Sequence, residues 1–434
     1  MNKKNSYTRR RFLRSSAALA AATVSFPYIV SSSALGKAGT IAPSNRIVMG
    51  SIGVGAAGTN NMKTFLNNDQ VQLVAACDID RNHRDRAKGI VDKKYQNNDC
   101  QTYLDFRDLI ARGDLDAVHM ALPDQWHGII YASAARAGLD IFGQKPLART
   151  IREGRAICDA VEQAGVVWQT GSQQRSWGIF HHACELVRNG RIGKVHRVEV
   201  GLPDGHASSD TPPIQPVPDG LDWDFWLGPA PKVPFRGICH WHWRWIMDYS
   251  GGQLTDWAGH HIDIAHWGLG LERTGPIEIE GKSQCPREGI FDAPYAYKFK
   301  CKYANGVEII VGNDSQMPKG RGPTWYGDKG WINVNRGGIS AEPKSVINEV
   351  IGPGEIRLYK SRRHEQNFLD CIRTRQETVA PVEIGHRSIS AALLGEIAML
   401  TGRKLKWDPE KEIFPDDPDA NRYLSRPMRA PWHL

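Results

Sequence analysis

The chain has 434 residues, more than one ordinary hydrophobic core organises, so we expect two domains after any leader is removed. Its 41% hydrophobic and 24% charged residues are typical of a soluble globular protein. Six of the cations behind the net charge of +8 lie within residues 1–14, which leaves +2 for the rest, so the charge predicts no nucleic-acid partner.

The first residues predict an export signal. Residues 8–14 read TRRRFLR, a twin-arginine pattern, and an alanine-rich stretch over 15–30 and small residues at 34–36 follow it. A membrane anchor is the alternative, but the stretch is shorter than the ~20 strongly apolar residues that a span needs. We predict a signal peptide over 1–36, a periplasmic or otherwise exported protein, and no membrane partner after the signal is removed.

A glycine-rich turn opens the first domain. An apolar run over 47–52 predicts a buried strand, three glycines follow at G-x-G-x-x-G spacing, and a polar cluster over 59–61 is expected to cap a helix that begins near Met62. Such glycines make a tight turn and let backbone approach a pyrophosphate at the helix N-terminus. A purely structural glycine turn is the alternative. The predicted cofactor-binding residues of this turn are Gly53, Gly55, Ala56, Ala57 and Gly58.

Asp78 strengthens the prediction of a dinucleotide site. It ends the next apolar strand, predicted over 71–77, and follows Gly58 by twenty residues. A carboxylate at this place can accept hydrogen bonds from ribose hydroxyls and repels a 2′-phosphate. We therefore predict NAD as the cofactor, with NADP disfavoured.

Alternating strands and helices continue to about Thr170. Predicted helices cover 81–93, 105–111, 125–137 and 151–164, and predicted strands cover 117–121, 140–142 and 166–169. Repeated units of this length predict a doubly wound parallel sheet with right-handed crossovers. We assign residues 45–170 to an α/β Rossmann domain.

Two predicted strand ends in this domain carry unusual residues. Pro123, Asp124 and His127 follow one strand, and Gln144-Lys145-Pro146 follows another. Ligands bind such sheets beyond the carboxyl ends of the strands, so Lys145 is expected at the crevice. The alternative for a lysine in this position is a solvated surface charge.

The second half has a different character. Two-residue alternation over 195–200, 297–303 and 307–311 predicts antiparallel strands, and helices are predicted over 365–373 and 389–401. The segment 203–234 holds eight prolines and predicts a long irregular loop. We assign 171–434 to an α+β domain with an open, mainly antiparallel sheet, which binds substrate and forms oligomers.

The tryptophans of the second half, and the cysteines of the whole chain, each allow more than one interpretation. Seven tryptophans lie between Trp223 and Trp267, a density that fits sugar stacking as well as a tryptophan-rich core or interface. The eight cysteines of the chain show no C-x-x-C pair, and Cys77 and Cys158 lie in apolar patterns typical of buried thiols. The sequence leaves disulfide pairing open.

A second informative stretch follows Gly251 and Gly252. If a helix begins near Thr255, Asp256, His260 and Asp263 share one face and His261 points elsewhere. A histidine beside a carboxylate has the proton affinity to accept a hydroxyl proton near neutral pH. A helix cap with a packed histidine is the alternative, and we predict no metal site, because the histidine spacing differs from common zinc sites. The histidines in question are His240, His242, His260, His261 and His266.

These residues together resemble the Gfo/Idh/MocA family of sugar-type oxidoreductases. The matching parts are the glycine turn, the strand ending in Asp78, the Pro123 to His127 turn, Gln144-Lys145-Pro146 in place of the family's Glu-Lys-Pro, and Asp256 with His260. The runs 222–229 and 407–432 resemble a secreted bacterial subgroup. The resemblance implies a Rossmann domain followed by an open antiparallel sheet, through which dimers or tetramers form.

The resemblance also implies roles for individual residues. Lys145 would contact the reacting hydroxyl and the nicotinamide ribose, His260 would be the general acid/base, and Asp256 would position substrate. Pro123 and His127 would join the cofactor-binding residues. Gln144 departs from the family pattern, so any charge pairing that the usual glutamate provides is missing here.

We predict hydride transfer between a secondary alcohol of a sugar or polyol and NAD, with the cofactor held tightly because an exported protein meets no free pool. Arg175, His182 and Trp257 are the predicted substrate residues; Trp177 and His181 lie beside the first two along the chain. One alternative is a redox-neutral, NAD-dependent glycoside hydrolase or epimerase that oxidises its sugar transiently. The other is a non-catalytic sugar-binding protein.

Overall fold

A computed structural model describes residues 41–238 and 240–434. The chain divides into two units, Met1–Arg46 and Ile47–Leu434. In the first unit Pro43–Asn45 forms a short 3-10 helix, and the predicted signal peptide over 1–36 lies outside the described residues.

The first part of the second unit is a six-stranded parallel sheet with the strand order β3-β2-β1-β4-β5-β6. Its strands are β1 (Ile47–Ile52), β2 (Val71–Cys77), β3 (Gln101–Tyr103), β4 (Ala117–Met120), β5 (Asp140–Gly143) and β6 (Trp168–Thr170). Its helices are α1 (Ala56–Leu66), α2 (Arg81–Tyr95), α3 (Phe106–Ile110), α4 (His127–Arg136) and α5 (Ile151–Ala164). The predicted doubly wound sheet is confirmed.

Two local predictions in this sheet were wrong. The first helix begins at Ala56, directly after the N-cap Gly55, and not near Met62. Thr59 lies inside that helix, where its hydroxyl donates to the carbonyl oxygen of Val54 at 2.7 Å instead of capping. The sequence also gave no sign of β3, because its side chains are exposed or half-buried and carry no apolar alternation.

The second part is an eight-stranded sheet with the order β13-β12-β11-β7-β10-β9-β8-β14. Neighbouring strands are antiparallel except β7 and β10, so the predicted mainly antiparallel sheet is confirmed. Its strands are β7 (Val195–Leu202), β8 (Glu278–Gln284), β9 (Ala296–Lys302), β10 (Glu308–Asn313), β11 (Gly322–Gly327), β12 (Gly330–Asn335), β13 (Gly338–Glu342) and β14 (Leu405–Lys406). The helices of this part are α6 (Gly178–Arg188), α7 (Trp223–Leu227), α8 (Gly252–Leu269), α9 (His364–Thr374), α10 (Val382–Thr401) and α11 (Pro418–Asn421).

Two long helices build the core of the second part. Helix α8 packs on β7 and β11, and α10 packs on β8, β9 and α8. Nearly every residue of both helices is buried, so neither shows the single apolar stripe of a surface helix. This burial places polar residues of α8, among them His260 and Asp263, inside the protein.

The proline-rich segment leaves the second sheet and crosses to the first. Among the described residues between β7 and α8 (203–238 and 240–251), the regular elements are α7 and a 3-10 turn over His242–Trp245. Asp222 caps α7 by accepting from the backbone N–H of Phe225. The segment is joined to the first sheet by a β-bridge between Asp80 and Leu221 and by a hydrogen bond from Arg81 N to Gly220 O at 2.9 Å. The segment therefore covers the edge at which β2 ends.

The described thiols and helices complete the fold. Cys77 and Cys158 are buried and free, as predicted, and the five other described cysteines are free as well. None of the helices within residues 41–238 and 240–434 combines the length and apolarity that crossing a membrane requires.

Candidate active site

A cleft of about 390 Å³ lies where β1, β2 and β4 end. The first sheet reverses its strand order between β1 and β4, and ligands of doubly wound sheets bind at this reversal. The five predicted residues of the glycine turn line the cleft, as do Asp78, Pro123 and Lys145. Asp256 reaches the same cleft from the second part of the chain.

The glycine turn is shaped for close backbone approach. Gly53 has φ +77°, and a Cβ there would overlap the carbonyl oxygen of Ala121. A Cβ at Gly58 would overlap the carbonyl oxygen of Gly53, so helix α1 can pack this closely only without a side chain. The N-cap Gly55 provides no side-chain hydrogen bond to the first turn of α1. The N–H groups of that turn are therefore available to an anionic ligand, which fits a dinucleotide pyrophosphate.

Asp78 holds the turn and also faces the cleft. One oxygen of its carboxylate accepts from the backbone N–H of Val54 at 2.8 Å, and the other accepts from the N–H of Asp80 at 3.0 Å. The ring of His83 lies 3.3 Å from the same carboxylate, and this contact raises the pKa of His83. The oxygen that accepts from Val54 is also the one that His83 contacts, whereas the oxygen that accepts from Asp80 keeps a second lone pair for a ribose hydroxyl.

His127 has a different place from the one predicted. It is buried behind the cleft, its Nδ1 lies 2.6 Å from Pro146 O, and its Nε2 lies 3.0 Å from Leu122 O. Burial lowers its pKa to about 4. The prediction of a cofactor-binding His127 is corrected, because its ring is buried between the carbonyl oxygens of Pro146 and Leu122 and, as a neutral imidazole, donates to one of them.

Lys145 and Asp256 meet at the inner end of the cleft. The Lys145 ammonium donates to the Asp256 carboxylate at 2.6 Å and to the Asp256 carbonyl oxygen at 2.8 Å. Burial favours the neutral acid, but Lys145 and Arg244 outweigh it and lower the pKa of Asp256. The lysine is therefore a fixed cation inside the site and not a solvated surface charge.

His260 lies on the same face of α8 as Asp256, one turn later. Its side chain is 7% exposed, and within the described part of the chain its Nδ1 has no hydrogen-bond partner. Burial, followed by the charges of Lys145 and Arg336, holds the pKa of His260 well below its usual value. The imidazole is therefore neutral at neutral pH, which is the protonation state that a general base requires.

Three polar residues near Lys145, Asp256 and His260 had no predicted role. The Asp124 carboxylate is buried and accepts from the Ser250 hydroxyl at 2.5 Å. Burial raises the pKa of Asp124 to about 6. Arg244 lies 3.9 Å from the Asp256 carboxylate. The position of Asp124 just after a strand end was a usable signal, whereas nothing in the sequence places Ser250 or Arg244.

Replacing Asp124 with asparagine is expected to stabilise the protein in a pH-dependent way. The pKa of Asp124 is higher in the folded than in the unfolded chain, so Asp124 lowers the free energy of unfolding as pH rises from about 4 to about 6. Asparagine removes this loss, and the variant should gain up to about 3 kcal/mol relative to wild type between pH 3.5 and pH 7. Urea unfolding at both pH values measures the difference. The same pH-dependent gain in Asp219→Asn, which alters an exposed loop carboxylate, would contradict the assignment to burial.

The structure separates the three predicted substrate residues. Arg175 is 2% exposed and forms a buried ion pair with Asp263, and His182 lies 2.8 Å from Ile347 O through its Nε2. Neither lines the cleft, so both predictions are corrected. Trp257 does not line the cleft either, but it lies beside His260 on α8, with its ring centroid 5.5 Å from that of His260, so its role stays a prediction.

The tryptophan-rich region is mainly core. Trp223, Trp226 and Trp243 pack with Phe235 and Tyr249 in one buried cluster under the proline-rich segment. Trp226 and Trp243 nevertheless line the cleft, together with the exposed Trp241. The core interpretation is therefore confirmed for the buried tryptophans, and sugar stacking by those that line the cleft stays a prediction.

Three groups near the outer end of the cleft could hold a divalent metal. Asp80, His83 and His240 place one ligand atom each within 4.8 Å of one another. Among the described residues, this group includes one of the histidines considered from the sequence, His240. Its two partners, Asp80 and His83, lie at the start of α2.

Comparison with known proteins gives two family matches. Residues 47–172 match the model of the NAD-binding Rossmann fold of the Gfo/Idh/MocA oxidoreductases. Residues 204–434 match the model of the C-terminal alpha/beta domain of the same oxidoreductases.

Curated relatives are similar over unequal lengths. An alpha-N-acetylgalactosaminidase from Shewanella oneidensis is 32% identical over 173 residues, which are 36% of this chain and 37% of that protein. The match thus spans little more than a third of that relative. The uncharacterized oxidoreductase YrbE of Bacillus subtilis is 24% identical over 347 residues, 77% of this chain and 88% of that protein.

Solved structures share the fold. The aldose-aldose oxidoreductase from Caulobacter crescentus, complexed with glycerol, has a TM-score of 0.59 at 19% identity and covers 83% of this chain and 99% of its own. The WlbA dehydrogenase from Bordetella pertussis, in complex with NADH and UDP-GlcNAcA, has a TM-score of 0.60 at 17% identity and covers 84% and 99%.

Proposed function

The chain belongs to the Gfo/Idh/MocA oxidoreductase family, and on that premise we propose that it transfers hydride between a secondary alcohol of a sugar or polyol and NAD. One observation carries the proposal: the Lys145–Asp256 pair lines the cleft that begins at the glycine turn, and the neutral His260 lies one turn after Asp256 on α8. This arrangement supports a fixed cation at the cleft with a proton acceptor close behind it.

The residues of the chain divide the work as follows. Bound NAD would accept or supply the hydride. Lys145 donates a hydrogen bond to the substrate oxygen and stabilises the negative charge that develops there, and Asp256 keeps the ammonium in position. His260 accepts the hydroxyl proton during oxidation and returns it during reduction. Asp78, at the ribose end of the groove, supports NAD over NADP.

A redox-neutral glycosidase or epimerase is the second candidate. Partial similarity to an alpha-N-acetylgalactosaminidase and to glycosyl hydrolase family 109 proteins favours it. The same Lys145 and His260 serve transient oxidation of a sugar carbon, which acidifies the neighbouring C–H. This reaction releases product without net formation of NADH.

The experiment that tests the proposal starts from the purified mature protein. Denaturation and mass spectrometry identify any resident nucleotide, and a panel of aldoses, polyols and glycosides is then screened for reduced-nicotinamide absorbance and for product. We expect NAD and net NADH formation. Product without net NADH would establish the redox-neutral reaction, and failure to bind any dinucleotide would contradict both.

Replacing Lys145 with alanine is expected to lower kcat/KM by about 10²–10³-fold, because one preorganised donor to the reacting oxygen is lost. Steady-state kinetics measures the effect, and nucleotide content measures cofactor retention. Lys329→Ala, a change of an exposed lysine on the β11–β12 turn, is the matched control. Unchanged kinetics in the Lys145 variant would contradict the proposed role.

We also propose that the protein is exported by the twin-arginine route and forms homodimers or homotetramers through the open face of its second sheet. Lysine replacement of Arg9 and Arg10 should retain the precursor in the cytoplasm, and light scattering of the mature protein measures its mass. Cytoplasmic retention of the wild type, or a monomeric mass, would contradict the respective proposal.

A further inference from the structure

Cationic side chains surround the reacting end of the cleft. Arg244 lies beside Asp256, and Arg321 and Arg336 both contact Trp257, with guanidinium carbons 5.2 and 4.7 Å from its ring centroid. The charges of Arg244 and Arg336 lower the pKa of Asp256, and Arg336 also lowers the pKa of His260. With Lys145 these three arginines form what we call the cationic rim.

The carboxylates paired with the cationic rim carry less negative charge than the rim carries positive charge. Asp256 serves both Lys145 and Arg244, and Asp314 accepts from Arg321 Nε at 2.7 Å. Arg336 donates through Nε to the neutral side chain of Gln174 at 3.1 Å. Within residues 41–238 and 240–434, Arg336 has no carboxylate within 4.0 Å, so the rim keeps an excess of positive charge.

Arg336 lies outside the cleft that begins at the glycine turn, with its side chain exposed beside Trp257. It lies on the turn between β12 and β13, in the second part of the chain, and is absent from the residues that line the cleft with the glycine turn. Its guanidinium stands over Trp257, next to His260 on α8. The guanidinium carbon also lies 5.9 Å from the ring centroid of Trp177. Within the described part of the chain the N–H groups of Arg336 other than Nε make no hydrogen bond, so they can pair with a group that enters beside Trp257.

We propose that the sugar substrate carries an oxyanion substituent, a carboxylate, sulfate or phosphate, and that Arg336 binds it. This inference rests on the proposed function and names the substrate class of the same site. A planar guanidinium matches the two oxygens of such a group and forms charge-assisted hydrogen bonds to them. A neutral sugar would leave the excess charge of the rim without a partner.

The test measures binding rather than turnover. Isothermal titration of the NAD-loaded protein compares galacturonate, glucuronate, galactose 6-sulfate and galactose 6-phosphate with galactose and glucose. We expect at least one anionic sugar to bind about 10–100-fold more tightly than its neutral parent, the gain typical of a hydrogen bond to a charged group. The identity of that ligand distinguishes carboxylate, sulfate and phosphate.

Arg336→Gln should abolish the preference, because glutamine keeps a polar side chain without the charge, while the binding of the neutral parent and the melting temperature change little. Arg273→Gln, which alters an exposed arginine paired with Glu377, should keep the full preference. Equal affinity for anionic and neutral sugars, binding of neither class, or a preference that survives Arg336→Gln would overturn the inference. An anion preference in a protein that forms neither NADH nor product would instead contradict only the proposed function.

Discussion

Replacing His260 with alanine is expected to lower kcat for sugar oxidation by about 10²–10⁴-fold, the usual contribution of a positioned general base. The imidazole is held neutral by burial and by Lys145 and Arg336, and its Nδ1 has no other partner within the described part of the chain. On the proposed function, this neutral imidazole accepts the proton of a hydroxyl that Lys145 binds. Steady-state kinetics with the first substrate found in the screen measures the loss.

Two further variants separate chemistry from folding in this experiment. His260→Gln keeps most of the volume of the side chain and should lose activity to a similar extent with a smaller change in melting temperature. His182→Ala removes a histidine that bonds Ile347 on the surface of α6 and should leave kcat little changed. Near-normal turnover in both His260 variants would assign the base to another group.

The features predicted from sequence alone are those fixed by short stretches of chain. The glycine turn and Asp78 belong to one βαβ unit, in which spacing determines geometry, and the structure places them together in the cleft. The bounds of β1, β2 and α5 agree with the predicted 47–52, 71–77 and 151–164, because apolar runs between clear turn signals define them.

The remainder of the site depends on contacts between distant residues. Lys145 and Asp256 are separated by 111 positions, and periodicity cannot show that they pair. The family resemblance brought both to the site, but it made Asp256 the partner of His260 and did not predict its ion pair with Lys145. The Asp124–Ser250 bond spans 126 positions and had no such support. Arg336 lies on a turn of the second sheet, and no residue close to it in the sequence predicts that it lies near His260.

Sequence proximity also misled. Arg175 follows the last strand of the first sheet by five positions, where substrate residues are common, and it was therefore placed at the substrate. The intervening chain turns inward as a 3-10 helix over Gln173–Ser176 and carries the side chain into the core. His127 was misjudged similarly, because a histidine at the start of a helix after a strand can face either the cleft or the loops behind it.

We expect Arg175 to contribute to stability and not to substrate binding. Arg175→Met should lower the free energy of unfolding by about 3–5 kcal/mol. Its guanidinium donates to both oxygens of Asp263, at 2.7 and 2.8 Å, and to Glu272 at 3.2 Å. Asp263 also accepts from Ser388 on α10, so the arginine neutralises a carboxylate that joins two core helices. Removal of the arginine leaves that charge buried without its cation.

A double variant tests whether the loss of stability comes from the buried Asp263 carboxylate that is left without its cation. Breaking one side of a buried pair is costly, whereas replacing both partners with apolar groups of similar size is often close to neutral. Arg175→Met combined with Asp263→Leu should therefore recover much of the stability lost in the single variant, as measured by urea unfolding. If Arg175→Met kept full stability and raised KM, Arg175 would be a substrate residue after all, as the sequence had indicated. A recovered double variant with an unchanged KM would show that this arginine supports α8, and through it His260, without touching the substrate.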